Sequence, residues 1–407
     1  MDFSFKQPNK SRDVTLIFLI VLGVLLFRRF DAFTNPQLWA EDYPIFFFQY
    51  SQMGLKSLIT PYAGYMHFVP RLIAILFGAL RVNYLYIPLC YNYSAFLITF
   101  FIALNTWRTS SSLNIKHRIF YATSFLFLPV ASDIFMNITN IIWITGLYQV
   151  NFLFTRNDNN TGKWWYLNLV VIFIISLTGP FSALLSPLVL VIMLLERKEL
   201  TLKKILPLSL ILIGGVIQVI SIKFLDPNFY RGQPGPPEQY HLLRLITNNM
   251  SEMLFLKYDF MRWLSPSIAM VVSLLSFMVF SYVFIRGYIK TDNKRKYILL
   301  VYAIIVLAAF IKAYWPNESK VLALDNARYY FIPFACIGWL IILSFDKTIK
   351  PAYIGVYLIF FIAHHRSIRM SFTDKHWKTQ ILEYYDGKRQ EIDVNPDGWH
   401  FALPDKK

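Results

Sequence analysis

Two adjacent carboxylates, Glu41 and Asp42, follow shortly after the first long apolar run of the chain, Val14–Phe27. Trp39 precedes them, and Tyr43, Phe46, Phe47 and Phe48 come just after. Carboxylates beside a membrane surface are costly unless water solvates them or a reaction uses them, whereas aromatics at that depth are ordinary belt residues. Two readings stand side by side. The pair is an exposed cap on a helix that begins near Pro44, since carboxylates favour helix N-termini, or one carboxylate is a general base toward a hydroxyl.

The basic residues divide in the same way. Arg328 sits at the outer end of an apolar run beside Tyr329 and Tyr330. Its planar fork of donors suits a phosphate, but a snorkelling arginine paired with Asp325 has the same sequence. Arg71, in HFVPRLIAILFGAL, carries both readings too. Lys320, Arg231, His241 and Arg244 fall in segments read as outer loops, where solvation is the ordinary fate of a charge. Thr178-Gly179-Pro180 interrupts two apolar runs and is either a tight turn or backbone lining a cavity. The seven histidines form no HExxH and no zinc-spaced cluster with Cys90 or Cys336. Phosphate-binding glycine loops and the GxSxG elbow are missing as well. No metal or covalent cofactor is expected in the site, and the metal requirement stays open.

The elements that must position these residues follow from composition. Of 407 residues, 56% are hydrophobic and only 16% charged, and aromatics make up 18%. A soluble domain carries about a quarter charged residues, so this chain lacks the side chains that keep a surface wet. Disorder, a collagen-like repeat and a disulfide scaffold are excluded on the same figures. The formal charge is +16. In a soluble protein that would suggest nucleic acid; here it reads first as topology, because Lys and Arg collect in cytoplasmic loops. No nucleic-acid partner is expected, and the lipid bilayer is the solvent.

Candidate spans are 13–30, 83–104, 119–136, 141–155, 164–178, 181–195, 205–224, 263–286, 297–314, 329–345 and 352–366. Residues 67–80 are apolar but too short, and loop charges decide their status. If 67–80 does not cross, one side collects sixteen Lys/Arg in its loops and the short loops opposite hold two. If it crosses, the positive-inside rule is inverted. The segment is therefore interfacial or re-entrant, giving eleven spans, a cytoplasmic N-terminus and an external C-terminus. Arg28-Arg29 on the outside is the one local violation. The expected fold is an all-α polytopic membrane protein: a transmembrane unit over 1–366, with outer loops at about 31–82 and 225–262, and a small external tail over 367–407.

WAEDY with FF and Gln49 behind it, then PYAGYMHFVPR, resembles a bacterial family of multi-pass glycosyltransferases of the GT-C type. The serotype-converting O-antigen glucosyltransferases of phage-derived clusters look like part of that group. Further matches are Asn137-Ile-Thr-Asn-Ile-Ile-Trp143 after Asp133, Leu177-Thr-Gly-Pro-Phe181, Arg328-Tyr-Tyr-Phe and Asn395-Pro-Asp-Gly-Trp-His-Phe-Ala-Leu-Pro404. Tyr43 stands where the family usually has Gly, and Asp133 where it usually has Glu.

The resemblance implies a GT-C-like bundle with interfacial helices in the first outer loop. It implies a catalytic carboxylate there, Asp42 ahead of Glu41. The donor would be a polyprenyl-phosphate-linked sugar, glucose by analogy, and the acceptor a hydroxyl of a periplasmic O-antigen or related lipopolysaccharide glycan. Arg328, Tyr329 and Arg71 become donor-phosphate candidates. Asp133, Asn140, His67, Tyr65 and Lys320 become candidates to support the pair or receive the acceptor. The tail is expected to engage the acceptor. A flippase and a polyprenyl-phosphate sugar synthase would serve the same pathway in a bacterial inner membrane. Two alternatives are an O-antigen polymerase and a lipid-linked oligosaccharide flippase; the latter predicts charged spans and pseudo-symmetric halves, which this sequence lacks.

Overall fold

A computed structural model describes residues 10–110, 115–128, 132–155, 163–225, 265–290, 295–314, 328–344, 362 and 368–402. It is mostly helical, as the composition requires. Helix α1 (Lys10–Arg28) leads into a segment, expected from sequence to be the first outer loop, that holds the short α2 (Asp31–Thr34), α3 (Phe48–Met53) and α4 (Phe68–Ala79). Then come α5 (Ile87–Thr109), α6 (Ile115–Thr123), α7 (Ile141–Thr155), α8 (Lys163–Ser176), α9 (Phe181–Leu195) and α10 (Leu202–Ile220). After the stretch 226–264, which lies outside the described residues, follow α11 (Pro266–Lys290), α12 (Lys296–Tyr314) and α13 (Phe331–Ser344). The tail contributes α14 (Trp377–Tyr385) and an antiparallel hairpin, β1 (Glu391–Val394) and β2 (Trp399–Ala402), with Glu391 opposite Ala402.

Among the described residues, two helical stretches, Tyr84–Thr109 and Leu202–Leu225, are long and apolar enough to cross a membrane. Shorter apolar helices accompany them, among them Ile141–Thr155 and Phe181–Leu195. Most of the expected span 352–366 lies outside the described residues, as do Lys320, Asp325 and nearly all of the expected outer loop 225–262.

α4 is 12 residues long, about 18 Å at the helical rise against about 30 Å of hydrocarbon. Leu72, Leu76 and Leu80 lie exposed along one side while Arg71, Ile73, Ala74 and Ile75 are buried. It is a one-sided apolar helix too short to span upright, which fits the interfacial reading.

The stretch 119–136 departs from its expectation as one span. α6 ends at Thr123, a 3-10 turn runs to Phe127, and Leu128 turns extended at ψ 137. The cause is Pro129, which disfavours helical backbone in the residue before it. Beyond it, Asp133, Asn137 and Asn140 bond their own backbone rather than continuing a helix. Non-helical backbone at membrane depth is tolerated where protein buries it, and Ile134 to Ile138 are almost fully covered.

Arg28 and Arg29 are likewise not loop charges. Both are fully buried. The Arg28 guanidinium donates to the carbonyls of Leu126 (3.1 Å) and Leu128 (2.9 Å). Arg29 donates to the Phe135 carbonyl (2.9 Å) and pairs with Asp31 (2.9 Å). They tie the end of α1 to the irregular segment after α6, which is why they escape the charge rule for loops.

Helices α8, α9 and α10 approach through small residues. A Cβ on Gly214 would meet Ser176 at 2.4 Å, and one on Gly215 would meet Ser186 at 2.0 Å; close backbone approach of this kind drives helix association in lipid. The tail has no core of its own. Phe401 stacks on Tyr43 at 4.2 Å, Trp377 lies 6.3 Å from the same ring, and Asn395 bridges Trp39, so the tail packs on the segment between α1 and α5.

Candidate active site

Asp42 closes a 3-10 turn, Ala40–Asp42, and is fully buried. Its Oδ2 accepts from the Trp39 amide at 3.0 Å. Its Oδ1 accepts from the Thr139 amide at 2.9 Å and from the Thr139 hydroxyl at 2.7 Å. Burial pushes its carboxyl up to about 7 even though all three donors favour the charged form. Both oxygens are engaged by the scaffold. Asp42 therefore ties the segment after α1 to the segment after α6.

Glu41, one residue earlier, has the opposite character. It is partly exposed, and its Oε1 accepts a 3.3 Å bond from the Tyr62 hydroxyl. Burial raises its carboxyl above the usual range, while its own backbone, the Arg328 charge, Tyr62 and Thr139 pull it back. A partly covered carboxylate with a raised pKa is a stronger proton acceptor than an ordinary surface carboxylate. The geometry thus separates the pair into an accessible carboxylate and a buried brace, with the accessible one at Glu41 rather than at the residue ranked first on sequence.

The loop that supplies Thr139 is built by its own polar side chains. Asn137 and Asn140 both donate to the Asp133 carbonyl, at 2.5 and 2.9 Å, and the Asn137 side chain accepts from the Asn140 amide at 2.8 Å. Asn140 is accordingly committed to the loop. The carboxylate of Asp133 is buried and faces Arg328 at 3.5 Å. Arg328 lies 5.5 Å from the centre of the Tyr329 ring. Its charge thus acts on both Asp133 and Glu41, and the structure brings these three together with Tyr329.

A second group forms around α4. Tyr62 to Tyr65 make a tight turn with Ala63 at φ 52 and Gly64 at φ 84, and glycine is the residue that adopts such backbone freely. Behind it the chain pairs with the Thr178-Gly179 break. The Phe68 amide donates to the Leu177 carbonyl at 3.2 Å and the Gly179 amide to Met66 at 2.8 Å. Thr178 accepts from the Val69 amide at 3.1 Å, and Gln218 accepts from Met66 at 2.8 Å. The break is therefore an anchor for the start of α4.

His67 stacks near Tyr65, ring centres 4.6 Å apart, with its Nε2 3.1 Å from the Tyr62 carbonyl. Burial, with the Arg71 charge adding to it, lowers its pKa to about 3, so it is neutral. One turn along, Arg71 is fully buried, and none of its three guanidinium nitrogens meets an acceptor among the described residues. The nearest aromatic face is Phe46, 5.5 Å away. Burial alone lowers Arg71 to about 10, so the charge persists at neutral pH. A buried, unpaired guanidinium is costly and is rarely kept without a use.

Sequence reasoning missed Thr139, Tyr62 and Gln218. Thr139 had a signal, since it lies between two polar residues in the short segment that follows Asp133. Gln218 had another, as an amide in an otherwise apolar run. Among the described residues, no group of three or more His, Cys, Asp or Glu is placed to hold a metal ion. No family model and no curated protein matches the chain.

Proposed function

We propose that the chain is a GT-C-type membrane glycosyltransferase that moves glucose from a polyprenyl-phosphate donor to a hydroxyl of a periplasmic O-antigen or similar surface glycan. One observation carries the reading: Glu41 is an accessible, pKa-raised carboxylate fixed by a buried neighbour and set beside the Arg328 charge. In the reaction the acceptor oxygen attacks the anomeric carbon, and Glu41 takes the hydroxyl proton. The bond from that carbon to the phosphate oxygen breaks with inversion, and polyprenyl phosphate leaves with the electron pair. Arg328 and Arg71 would offset the charge that develops on the leaving phosphate. Tyr329 would flank the phosphate, and Asp133 would hold Arg328 in place.

The architecture that goes with this reading has eleven spans, a cytoplasmic N-terminus and an external site in a bacterial inner membrane. The tail packs on the first outer loop, so an even number of crossings separates them. The eleven-span count supplies ten. A flippase and a polyprenyl-phosphate sugar synthase would deliver the donor.

The test supplies purified protein with a polyprenyl-phosphate glucose and a lipid-linked O-antigen acceptor, then measures glucosylated product for wild type and Glu41→Gln. Product from wild type and its near-absence from Glu41→Gln support the reading. Acceptor chains lengthened by whole repeat units would indicate a polymerase, and movement of lipid-linked glycan across vesicles without transfer would indicate a flippase. Either result would replace the reading.

A further inference from the structure

Ala40, directly before Glu41, has φ 36, a left-handed conformation that a residue with a Cβ resists. What holds it there lies 355 residues further along the chain. Asn395 pairs as a parallel bridge with Trp39. The Ala40 amide donates to the Asn395 carbonyl, and the Asn395 amide donates to Leu38 at 3.2 Å. The Asn395 side chain fixes its own base: its Nδ2 donates to the Thr373 carbonyl at 2.9 Å, and its Oδ1 accepts from the Thr373 amide at 3.0 Å. Only a carboxamide offers both a donor and an acceptor to one backbone residue in this way. Asn395 is 3% exposed, so water does not substitute for these bonds. Stacked rings flank it on both sides of the acidic pair: Trp39 on Phe372 at 4.4 Å and Tyr43 on Phe401 at 4.2 Å.

We infer that Asn395 is a positioning residue for Glu41: the tail acts as a clamp that holds the Trp39–Asp42 turn in its strained form and so aims the Glu41 carboxylate. The inference rests on the proposed transfer reaction only for what Glu41 does once aimed. It assigns the tail a role at the acidic pair itself, in place of the acceptor-binding role expected from sequence.

The experiment uses the full chain in lipid nanodiscs and reads two quantities. The first needs no substrate: the rate at which a carbodiimide with glycine ethyl ester modifies Glu41 and Asp42, followed by peptide mass spectrometry. The second is transfer kinetics. Asn395→Ala is expected to release the turn, so that Asp42, sealed in the wild type, becomes modified several-fold faster. Transfer should lose about 10²-fold in kcat, as small misplacements of catalytic groups do, with the donor KM little changed. Adding Ala40→Gly should recover roughly a tenth or more of the lost rate, because glycine adopts a positive φ without the clamp. A tail with a merely supportive role would not be rescued at residue 40. Should Asn395→Ala fail to accumulate, Phe401→Leu keeps the hairpin volume, removes only the stacked ring, and is read by the same labelling. Unchanged labelling of the pair, or no recovery in the double variant, overturns the inference. Faster labelling in the variant from a wild type that transfers no sugar leaves the clamp standing and removes the proposed reaction alone.

Discussion

The Thr139 hydroxyl donates to Asp42 Oδ1 over 2.7 Å, and the Thr139 amide meets the same oxygen at 2.9 Å. One residue of the segment after α6 thus seals one oxygen of the acidic pair, and Trp39 seals the other. An amide at position 42 turns an acceptor into a donor aimed at an N–H or a hydroxyl. Asp42→Asn should therefore cost about 1–3 kcal/mol of stability through the unmade bond. Thr139→Val, which keeps the amide and loses the hydroxyl, should cost about 1.5–3 kcal/mol as a bond to a charged group. Both appear as a lowered melting temperature in detergent. An unchanged melting temperature in Asp42→Asn would show that the carboxylate is not the brace described.

The pH dependence of stability follows from the same residue. Burial raises the folded carboxyl of Asp42 from 3.8 to about 7. A raised acid binds its proton more tightly in the folded state, so its contribution is complete below the lower value. That contribution is lost as pH climbs to the upper one. Wild type should lose stability over that interval, and Asp42→Asn should show a flatter profile there. The comparison is made by thermal unfolding at stepped pH, with the same lipid throughout.

Glu41 makes the complementary prediction. Its partly exposed side chain takes a long 3.3 Å bond from Tyr62 and does not tie two segments as Asp42 does, so Glu41→Gln should leave expression and melting temperature nearly unchanged. Transfer should fall by about 10²–10⁴-fold, the usual contribution of a general base. The acidic limb of kcat/KM should have its midpoint above 4.5, because burial raises the group. Arg328 pulls that midpoint down, so Arg328→Gln should move it to higher pH. A midpoint that moves down, or does not move, would separate Arg328 from the base.

Much of this site could be read along the chain, and the unread part has a common cause. The acidic pair, the short apolar helix at α4 and the Thr178-Gly179 break all follow from local features: charge beside an apolar run, a run too short to cross a membrane upright, and helix-breaking residues. Thr139 bonds Asp42 from 97 residues away and Asn395 bonds Ala40 from 355, and helical periodicity carries no information about such partners. Arg28 and Arg29 misled for the opposite reason. A charge rule for loops assumes exposure, and these two arginines are buried among carbonyls. The broken span after α6 was legible after all, since Pro129 marks the point where Leu128 leaves the helix.

Topology is checked by reporters. Fusions after Arg197, Lys294 and Lys347 should report the cytoplasm, and fusions after Pro234 and Lys388 the periplasm, from the sixteen basic residues in the loops of one side against two in the short loops opposite. The Lys388 fusion carries extra weight. The tail packs on the first outer loop, so a cytoplasmic signal there would place Glu41 inside and end the external mechanism.

Arg71 gives a prediction in which stability and binding move in opposite directions. Its guanidinium is fully buried, with no acceptor on any of its three nitrogens among the described residues, and it lies over the Phe46 ring at 5.5 Å. Removing a buried, unpaired charge relieves a desolvation cost, so Arg71→Met should raise the melting temperature of the substrate-free protein. If the charge is kept to receive the donor phosphate, the same substitution should raise the donor KM by about tenfold or more, equivalent to at least about 1.4 kcal/mol. Arg71→Lys should retain part of that affinity, as a point charge without the planar fork. A lowered melting temperature with an unchanged KM would make Arg71 a structural residue and leave Arg328 as the phosphate partner. A raised melting temperature with a weakened donor is the pattern expected of a group held at a cost for its ligand.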